Sequence, residues 1–275
     1  MAIEAGATLG ALQRSLPFDA LENRILLGHA LGLGRVALIT QSERTLTAAE
    51  AARLQALVAR RAAGEPIAYI VGSREFFGLA FSVTPDVLIP RPDTELLVEL
   101  ALARITPGLR VLDLGTGSGA IIVALAHTRP DADYSALDRS PAALAVAAAN
   151  AARHRARVRF LHSDWYSAVA GERFGLIVAN PPYIAAADPH LSQGDLRFEP
   201  AGALTDQQDG LSCLRAIIDG APAHLQPDGW LLMEHGYDQA AAVRALLAAS
   251  GRFGDIASWQ DLAGIERVSG ARLLT

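Results

Sequence analysis

Lysine is absent from this sequence, and all 24 of its basic residues are arginine. Without lysine, the chain cannot form a Schiff base with a carbonyl substrate or use a lysine general base. Cysteine occurs once, as Cys213, which excludes an internal disulfide and is expected to be a small buried apolar residue. No apolar run approaches the roughly 20 residues of a membrane span, and residues 1–12 lack the basic start and apolar core of a signal peptide. We therefore expect a soluble, cytoplasmic protein.

Excess positive charge is also missing, since the formal net charge is −5. A protein that grips long nucleic acid without sequence preference needs a basic surface, so composition argues against that class. The local exception is the arginine-rich stretch 153–159, which we expect to be solvated surface. The histidines are dispersed and lack ligand spacing, so we expect no metal site. The 275 residues, 51% of them hydrophobic, suffice for a sizeable core in one large or two small domains.

The N-terminal part of the chain has a helical pattern. Apolar residues recur at helical spacing within 47–63, and 21–33 predicts another helix with glycines at its end. No catalytic cluster occurs in this part. We predict a small helical domain over residues 1–72, which either recognises the substrate or only stabilises the chain.

A linking hairpin is predicted next, over residues 73–90. Residues 76–83 have strand character around a glycine, and 87–89 form a second short apolar run. A helix is predicted over 92–104, because it opens with a proline and two acidic residues that suit a helix N-terminus.

From residue 110 onward, short apolar runs alternate with helical patterns. The predicted strands are 110–114, 133–137, 157–161, 174–179 and 229–234, with two more within 253–274. Such alternation is typical of a doubly wound parallel sheet. We therefore predict an α/β domain over residues 91–275 that binds ligands beyond the carboxyl ends of its strands.

A glycine turn follows the first of these strands and consists of Gly115, Thr116, Gly117, Ser118 and Gly119. Glycines permit a sharp turn and a close approach of a ligand to the backbone. Asp138 ends the next strand, where a carboxylate can accept hydrogen bonds from both hydroxyls of a ribose. An adenosine-containing cofactor is expected, but Gly115, Gly117 and Ala120 also satisfy the NAD-binding fingerprint, so the turn alone leaves its identity open.

Asp164 and Trp165 follow the third strand, at a position that flanks the base of a nucleotide in this kind of sheet. The indole can cover a purine face, and the carboxylate can accept a hydrogen bond from an exocyclic amine. The alternative for Trp165 is an ordinary core residue.

The segment Asn180–Tyr183, Asn-Pro-Pro-Tyr, follows the fourth strand, beside the expected reactive end of the cofactor. Asn180 offers an amide, and Pro181 and Pro182 fix the backbone while leaving their carbonyls free of local donors. Tyr183 adds a flat face for stacking. The segment predicts a rigid site for a planar amide or amino group, with a plain strand-to-loop turn as the alternative.

Together, the glycine turn, Asp138 and Asn180–Tyr183 resemble the class I S-adenosylmethionine-dependent methyltransferases that act on nitrogen of planar amides or amines. The chain resembles most closely the bacterial family that methylates the side-chain nitrogen of glutamine in peptide chain release factors. The helical N-terminal part agrees with that family, as do residues 88–95, 188–191, 194–200, 234–236 and 261–267.

The resemblance implies a seven-stranded class I methyltransferase sheet and methyl transfer to the glutamine of the GGQ motif in release factors. The implied cofactor is S-adenosyl-L-methionine, converted to S-adenosyl-L-homocysteine. In the expected mechanism, the Asn180 side-chain oxygen and the Pro181 carbonyl accept the two N–H bonds of the substrate amide, and Tyr183 packs on its plane. His190 and His235 are expected to be structural or exposed.

Three competing functions remain at this point. A nucleic-acid N6-adenine methyltransferase shares the proline-containing segment but needs a basic groove or a target-recognition domain. An NAD-dependent oxidoreductase explains the glycines and Asp138 but gives Asn180–Tyr183 no role. A non-catalytic, cofactor-binding partner subunit leaves the intact Asn180–Tyr183 segment without a purpose.

Overall fold

The computed structural model describes residues 2–275. The chain divides into two compact units, Met1–Ser73 and Arg74–Thr275. Residues 74–90, which the sequence assigns to a linking hairpin, lie within the second unit. None of the helices in the described chain is both long enough and apolar enough to span a bilayer.

The helices of the first unit enclose an apolar cluster that includes Leu26 and Leu54. Their bounds are Leu9–Ser15 (α1), Ala20–Leu31 (α2), Arg35–Thr40 (α3), Ala48–Ala62 (α4) and Ile67–Val71 (α5). Helix α4 starts where the sequence predicts, because Thr47 and Glu50 form a capping box. Helix α2 ends before the predicted residue 33, because Gly32 adopts a left-handed φ of 65°.

A hairpin of two short strands, Ser73–Phe76 (β1) and Leu79–Ser82 (β2), follows. Phe77 and Gly78 make its turn with φ of 51° and 73°. The prediction that residues 87–89 are strand-like is wrong. The Ile89 N–H donates to the Glu199 carboxylate at 2.9 Å instead of to a neighbouring strand.

A seven-stranded sheet forms the centre of residues 74–275. Its strands are Arg110–Leu114 (β3), Asp133–Asp138 (β4), Arg159–His162 (β5), Phe174–Ala179 (β6), Leu225–Glu234 (β7), Phe253–Gln260 (β8) and Glu266–Leu273 (β9). Their order is β5-β4-β3-β6-β7-β9-β8. The first five are parallel as predicted, but β9 is antiparallel to both β7 and β8. The short connection between β8 and β9 can only turn the chain back on itself.

Helices cover both faces of this sheet. They are Glu95–Leu102 (α6), Ala120–Thr128 (α7), Pro141–Arg153 (α8), Ala201–Leu204 (α9), Ser212–His224 (α10) and Ala240–Ala249 (α11). Single 3-10 turns lie at Pro92–Thr94, Ser167–Val169, Pro189–Ser192 and Leu196–Phe198. Neighbouring residues of β3 supply opposite cores: Val111 packs with α6 and α7, whereas Leu112 packs with α10 and α11.

The order of the strands reverses between β3 and β6. From β3 the chain continues outward to β4 and β5, and it then returns to the other side of β3 as β6. Open α/β sheets bind ligands at such a switch point, in the crevice beyond the carboxyl ends of the strands. The glycine turn leaves β3 at this edge, and Asn180 leaves β6 beside it.

Candidate active site

The glycine turn is held by backbone hydrogen bonds to β4. The N–H groups of Gly115 and Thr116 both donate to the carbonyl of Leu137 at 2.9 Å. The Gly117 N–H donates to Oδ2 of Asp138 at 2.8 Å. Left-handed φ values of 71° and 55° at Gly115 and Gly117 explain why glycine occupies these positions.

Gly119 caps helix α7 with a φ of 80°. A Cβ at this position would lie 3.1 Å from the Cβ of Ala147, on helix α8. Gly119 therefore permits α7 to pack closely against α8 behind the turn.

A cavity of about 420 Å³ opens at the switch point. This volume lies within the range of small-molecule sites. Every residue predicted to bind the cofactor lines it, except Gly119. Of the segment Asn180–Tyr183, Asn180 and Pro182 line the cavity, whereas Pro181 and Tyr183 do not. Cys213 also lines it and is only half-buried, so the expectation of a plainly buried cysteine is wrong.

Asp138 is fixed by the backbone on both carboxylate oxygens. Besides the bond from Gly117, Oδ1 accepts from the N–H of Ser140 at 2.8 Å. Each oxygen of a carboxylate can accept more than one hydrogen bond, so both remain able to receive a ligand hydroxyl. The charged group thus enters the cavity in an orientation that is set before any ligand arrives.

The position of Trp165 is compatible with both of the roles considered from the sequence, and stacking on a base stays a prediction. It lines the cavity and also packs against the core cluster on the α10 face. Its φ of 44° is left-handed, which is uncommon for a large residue. The Ser163 hydroxyl donates to the Trp165 carbonyl at 2.7 Å and accepts from the Ala168 N–H at 3.0 Å, and these bonds hold the local turn.

Asn180 lines the cavity with its side-chain amide oxygen unbonded among the described residues. Its Nδ2 donates to the hydroxyl of Thr94 at 3.3 Å. Among the described residues, no hydrogen bond to the Asn180 Oδ1 is found, and the side chain is half-buried at the cavity wall. The oxygen is therefore free to accept a hydrogen bond from a ligand.

Tyr183 anchors the segment Asn180–Tyr183 through hydrogen bonds to Glu234 and Gln239. Its hydroxyl donates to Oε1 of Glu234 at 3.2 Å, and its carbonyl accepts from Nε2 of Gln239 at 2.9 Å. Burial, together with the neighbouring Glu234 charge, raises the pKa of the Tyr183 hydroxyl, which keeps it a proton donor. A stacking role for this ring stays a prediction.

Two polar residues behind Asn180 were missed from the sequence: Thr94 and Glu234. Thr94 precedes α6, and Glu234 is the last residue of β7, where its side chain is only 2% exposed. Burial raises the pKa of the Glu234 carboxyl to about 7, although the neighbouring hydroxyls of Thr94 and Tyr183 lower it. The available signal was an acidic residue closing an apolar strand at the same sheet edge as Asn180.

A third missed residue, Asp113, lies under the glycine turn. It is fully buried, and its Oδ2 accepts from the Thr116 hydroxyl at 2.6 Å. Its Oδ1 is buried with no hydrogen-bond partner among the described residues. Burial raises the pKa of Asp113 to about 7; the Thr116 hydrogen bond opposes the rise, and the charge of Asp138 adds to it.

This raised pKa makes the stability of the fold depend on pH. The Asp113 pKa is about 7 in the folded chain, against an ordinary value of 3.8. The stabilisation from the neutral buried carboxyl is complete below about pH 4 and falls by about 1.4 kcal/mol per pH unit until about pH 7. The free energy of unfolding of the wild type relative to Asp113→Asn, measured with urea across this range, should therefore decrease with pH. A constant difference would contradict the assignment.

The two histidines considered from the sequence, His235 and His190, occupy a buried structural position and an exposed position. His235 is buried with Nδ1 at 2.9 Å from the Gly236 carbonyl and Nε2 at 2.7 Å from the Ser269 hydroxyl. Burial lowers its pKa. His190 is exposed and pairs with Asp188.

Glu199 has a structural role beside the cavity. The buried carboxylate accepts from the Ile89 N–H and pairs with Arg91, so it ties residues 199 and 89–91 together. Arg153, Arg155 and Arg157 are exposed, as the sequence predicts for the basic stretch. No group of three potential metal-ligating side chains occurs within residues 2–275.

Two family models match this chain. A PrmC N-terminal domain model covers residues 7–72, and a Methyltransferase small domain model covers residues 92–198. Together they span most of the first unit and the part of the second unit that carries the glycine turn and Asn180.

Curated proteins are similar over nearly the whole chain. A release factor glutamine methyltransferase of Burkholderia pseudomallei is 60% identical over 97% of this chain and 96% of its own length. The protein of that name from Escherichia coli is 47% identical over 89% of both chains.

Solved structures share the fold of the second unit. A methyltransferase from Pyrococcus furiosus has a TM-score of 0.55 and 18% identity, covering 78% of this chain and 96% of its own. A T. thermophilus 16S rRNA methyltransferase, solved with AdoMet and guanosine, has a TM-score of 0.54 and 23% identity, covering 73% of this chain and 49% of its own. The sheet is therefore a class I methyltransferase sheet. With the identities found over almost the entire length, the chain belongs to the release factor glutamine methyltransferase family.

Proposed function

We propose that this protein transfers the methyl group of S-adenosyl-L-methionine to the side-chain amide nitrogen of the GGQ glutamine in peptide chain release factors. One observation carries the proposal. Asn180, whose Oδ1 accepts no hydrogen bond among the described residues, lines the same cavity as the glycine turn and Asp138. In the proposal, this oxygen binds the acceptor amide and the Asp138 carboxylate binds the nucleoside of the cofactor. A cytoplasmic location, where translation takes place, is part of the proposal.

The residues of the cavity suit an adenosyl cofactor. At Gly115 and Gly117, an added Cβ would meet no atom within 4 Å, so the backbone borders open space that a ligand can approach. In the proposal, Asp138 accepts hydrogen bonds from ribose hydroxyls, Asp164 accepts one from an exocyclic amine, and Trp165 covers the base; all three residues line the cavity. S-Adenosylmethionine supplies a methyl group bonded to a positively charged sulfur.

The chemical task of the protein is to orient a poor nucleophile. The lone pair of an amide nitrogen is delocalised into the carbonyl. In the proposed mechanism, the Asn180 Oδ1 and the Pro181 carbonyl accept the two N–H bonds of the glutamine amide. These acceptors align the nitrogen with the methyl carbon and stabilise the positive charge that develops on it.

The proposed reaction needs no separate general base. As the new N–C bond forms, the S–C bond breaks and its electron pair returns to sulfur. The methylated nitrogen then releases one proton to solvent. Tyr183 and Glu234, which are bonded to each other behind the segment, keep Asn180–Tyr183 in place during this step.

We further propose that the helical unit recognises the release factor. Large apolar side chains on α2 and α3 are strongly exposed: Leu21 (60%), Val36 (74%) and Ile39 (61%). Val36 and Ile39 are three residues apart and share one face of α3. Exposed apolar side chains grouped in this way are typical of protein-binding surfaces.

The double substitution Val36→Ser with Ile39→Ser should raise the KM for intact release factor by about 10-fold, or about 1.4 kcal/mol for the pair, because it removes two apolar side chains from the proposed interface. The kcat and the KM for S-adenosylmethionine should stay within about twofold of wild type. Leu262→Ser serves as the control, since Leu262 is a fully exposed apolar residue outside the helical unit. An unchanged KM in the double variant would contradict a recognition role.

Isotope transfer tests the reaction itself. The full chain is incubated with methyl-labelled S-adenosylmethionine and either release factor, release factor with the GGQ glutamine replaced by alanine, or RNA. We expect label only in the intact release factor, located on the glutamine by mass spectrometry. Label in RNA alone would establish the nucleic-acid alternative, and label in the alanine-substituted factor would refute the proposed acceptor.

A further inference from the structure

Gln239 joins three separate loops at the carboxyl edge of the sheet through one side-chain amide. Its Nε2 donates to the carbonyl of Tyr183 at 2.9 Å and to the carbonyl of Gly210 at 3.2 Å. Its Oε1 accepts from the N–H of Gly236 at 2.9 Å. These partners belong to the loops that follow β6, precede α10 and follow β7. No step of the proposed mechanism uses Gln239.

The amide of Gln239 matches the polarity of all three partners. Two backbone carbonyls need donors and one backbone N–H needs an acceptor, and a glutamine amide supplies two donors and an acceptor oxygen. Turning the amide over would oppose its oxygen to two carbonyls and its NH₂ to an N–H group. The partners therefore fix its orientation.

Two glycines make room for this amide. A Cβ at Gly210 would lie 2.5 Å from the Tyr183 carbonyl oxygen and 2.8 Å from the Gln239 Nε2. A Cβ at Gly236 would lie 3.1 Å from the Gln239 Oε1. Gln239 is the N-cap residue of α11, yet its side chain makes no capping hydrogen bond. A side chain at a position that commonly serves the start of a helix therefore serves the three loops instead.

The bond to Tyr183 fixes the far end of the Asn180–Tyr183 segment, whose near end continues from β6. The peptide group between Tyr183 and Ile184 is held on both sides. Its carbonyl accepts from Gln239, and its N–H donates to the Leu204 carbonyl at 3.0 Å. The two prolines before Tyr183 have φ values fixed by their rings. Few free torsions therefore separate the held peptide group from the Pro181 carbonyl.

The loop that contains Gly210 has hydrogen bonds of its own. Within it, the Asp206 carboxylate accepts from three backbone N–H groups and one hydroxyl at 2.7–3.0 Å. Asp206 also lines the cavity. Loss of the Gln239 amide is therefore expected to leave the cofactor cavity in place and to release the Tyr183 carbonyl.

We propose that Gln239 is a positioning residue, which holds the Pro181 carbonyl in the orientation that the acceptor amide requires. This inference rests on the proposed function. Gln239 is not among the residues that line the cavity, so it acts through the Tyr183 carbonyl. Its own N–H donates to the Gly236 carbonyl at 3.0 Å, which ties the residue to the end of β7 from both its backbone and its side chain.

Substitution of Gln239 tests this role. Gln239→Leu removes all three side-chain bonds and should slow single-turnover methyl transfer at saturating release factor by about 10- to 100-fold, because a shift of about 1 Å can cost that much. The Kd for S-adenosylmethionine should stay within about threefold. If Gln239→Leu does not fold, Gln239→Glu keeps the shape and removes the donors. A wild-type rate in the variant that folds would overturn the proposal.

Combination with Asn180→Ala separates positioning from general damage. In the proposed mechanism, Asn180 and Pro181 bind the same amide and act as a unit. Gln239→Leu should therefore cost at least about threefold less in the Asn180→Ala background than in the wild type. Equal losses in the two backgrounds would refute a positioning role.

Gln55 provides the matched control. It is also a half-buried glutamine whose side chain bonds to the backbone, since its Oε1 accepts from the Ile3 N–H at 2.8 Å, but it lies on α4 in the helical unit. Gln55→Leu should lower the melting temperature without changing the single-turnover rate. A loss of rate equal to that of Gln239→Leu would mark the effect as nonspecific and overturn the proposal.

A second readout separates this inference from the proposed reaction. With tyrosine isotope-labelled at its carbonyl carbon and isoleucine at its nitrogen, only Tyr69–Ile70 and Tyr183–Ile184 give directly bonded labelled pairs in NMR spectra. Without substrate, amide exchange at Ile184 should be at least about 10-fold faster in Gln239→Leu than in wild type, with Ile70 unchanged. Equal exchange at Ile184 would refute the inference. Failure of wild type to label release factor would refute the proposed function whatever the exchange rates.

Discussion

Replacing Asn180 with alanine should reduce kcat for release factor methylation by about 100- to 1,000-fold, the effect of removing one preorganised group that stabilises transition-state charge. The loss follows because Oδ1 of Asn180, which accepts no hydrogen bond among the described residues, is the acceptor proposed for the substrate amide. The Kd for S-adenosylmethionine, measured by calorimetry, should change by less than about threefold, since the glycine turn and Asp138 remain intact.

A matched amide deletion controls for nonspecific effects. Gln193 is an exposed amide in the loop after the Asn180–Tyr183 segment, and Gln193→Ala should leave kcat unchanged. Single-turnover rates distinguish chemistry from product release. If Asn180→Ala turns over as fast as wild type, Asn180 does not bind the acceptor amide, and the proposed mechanism is wrong.

Replacing Asp138 with alanine should weaken S-adenosylmethionine binding by about 30- to 1,000-fold, or about 2–4 kcal/mol. Two losses combine in this variant. The ligand loses a charged acceptor, and the N–H groups of Gly117 and Ser140 lose their partner, so the turn itself loosens. Asp138→Asn keeps one acceptor oxygen and should have a smaller effect.

Asp133 supplies the control for this prediction. It is an exposed aspartate at the opposite end of the same strand, β4, and Asp133→Ala should bind S-adenosylmethionine as wild type does. Calorimetric titration of the three variants gives the comparison directly. An affinity for Asp138→Ala within about threefold of wild type would show that the cofactor does not depend on this carboxylate.

The parts of the structure that the sequence predicts well depend on local pattern. Strand β6 forms where a continuous apolar run occurs, and β3 forms where the run is interrupted by Asp113, because a central parallel strand is buried on both faces. Glycines at left-handed φ mark the turn after β3. The topology rule for such sheets then predicts this turn and Asn180 at one edge, and both line one cavity.

The parts that were missed depend on contacts between residues far apart in sequence. Thr94 and Asn180 are 86 positions apart, and Tyr183 and Glu234 are 51 apart. No periodicity or spacing marks such pairs, because they form only when α6, β6 and β7 pack together. Residues 87–89 were misjudged for a similar reason, since a distant carboxylate, Glu199, takes the hydrogen bond that a strand partner would have taken.

The pairing of β3 with β6 has a mechanical consequence. The glycine turn follows β3, and Asn180 follows β6. These two strands are joined by backbone hydrogen bonds, with Asp113 paired with Val178 and Leu114 with Ala179. Moving the glycine turn away from Asn180 would require breaking hydrogen bonds at the centre of the sheet, which is the last region to open in a cooperative fold. The stiffness that fixes their spacing therefore resides in the main chain. The cavity walls outside the sheet, which include residues from 86–91 and 200–207, are not part of this ladder of hydrogen bonds.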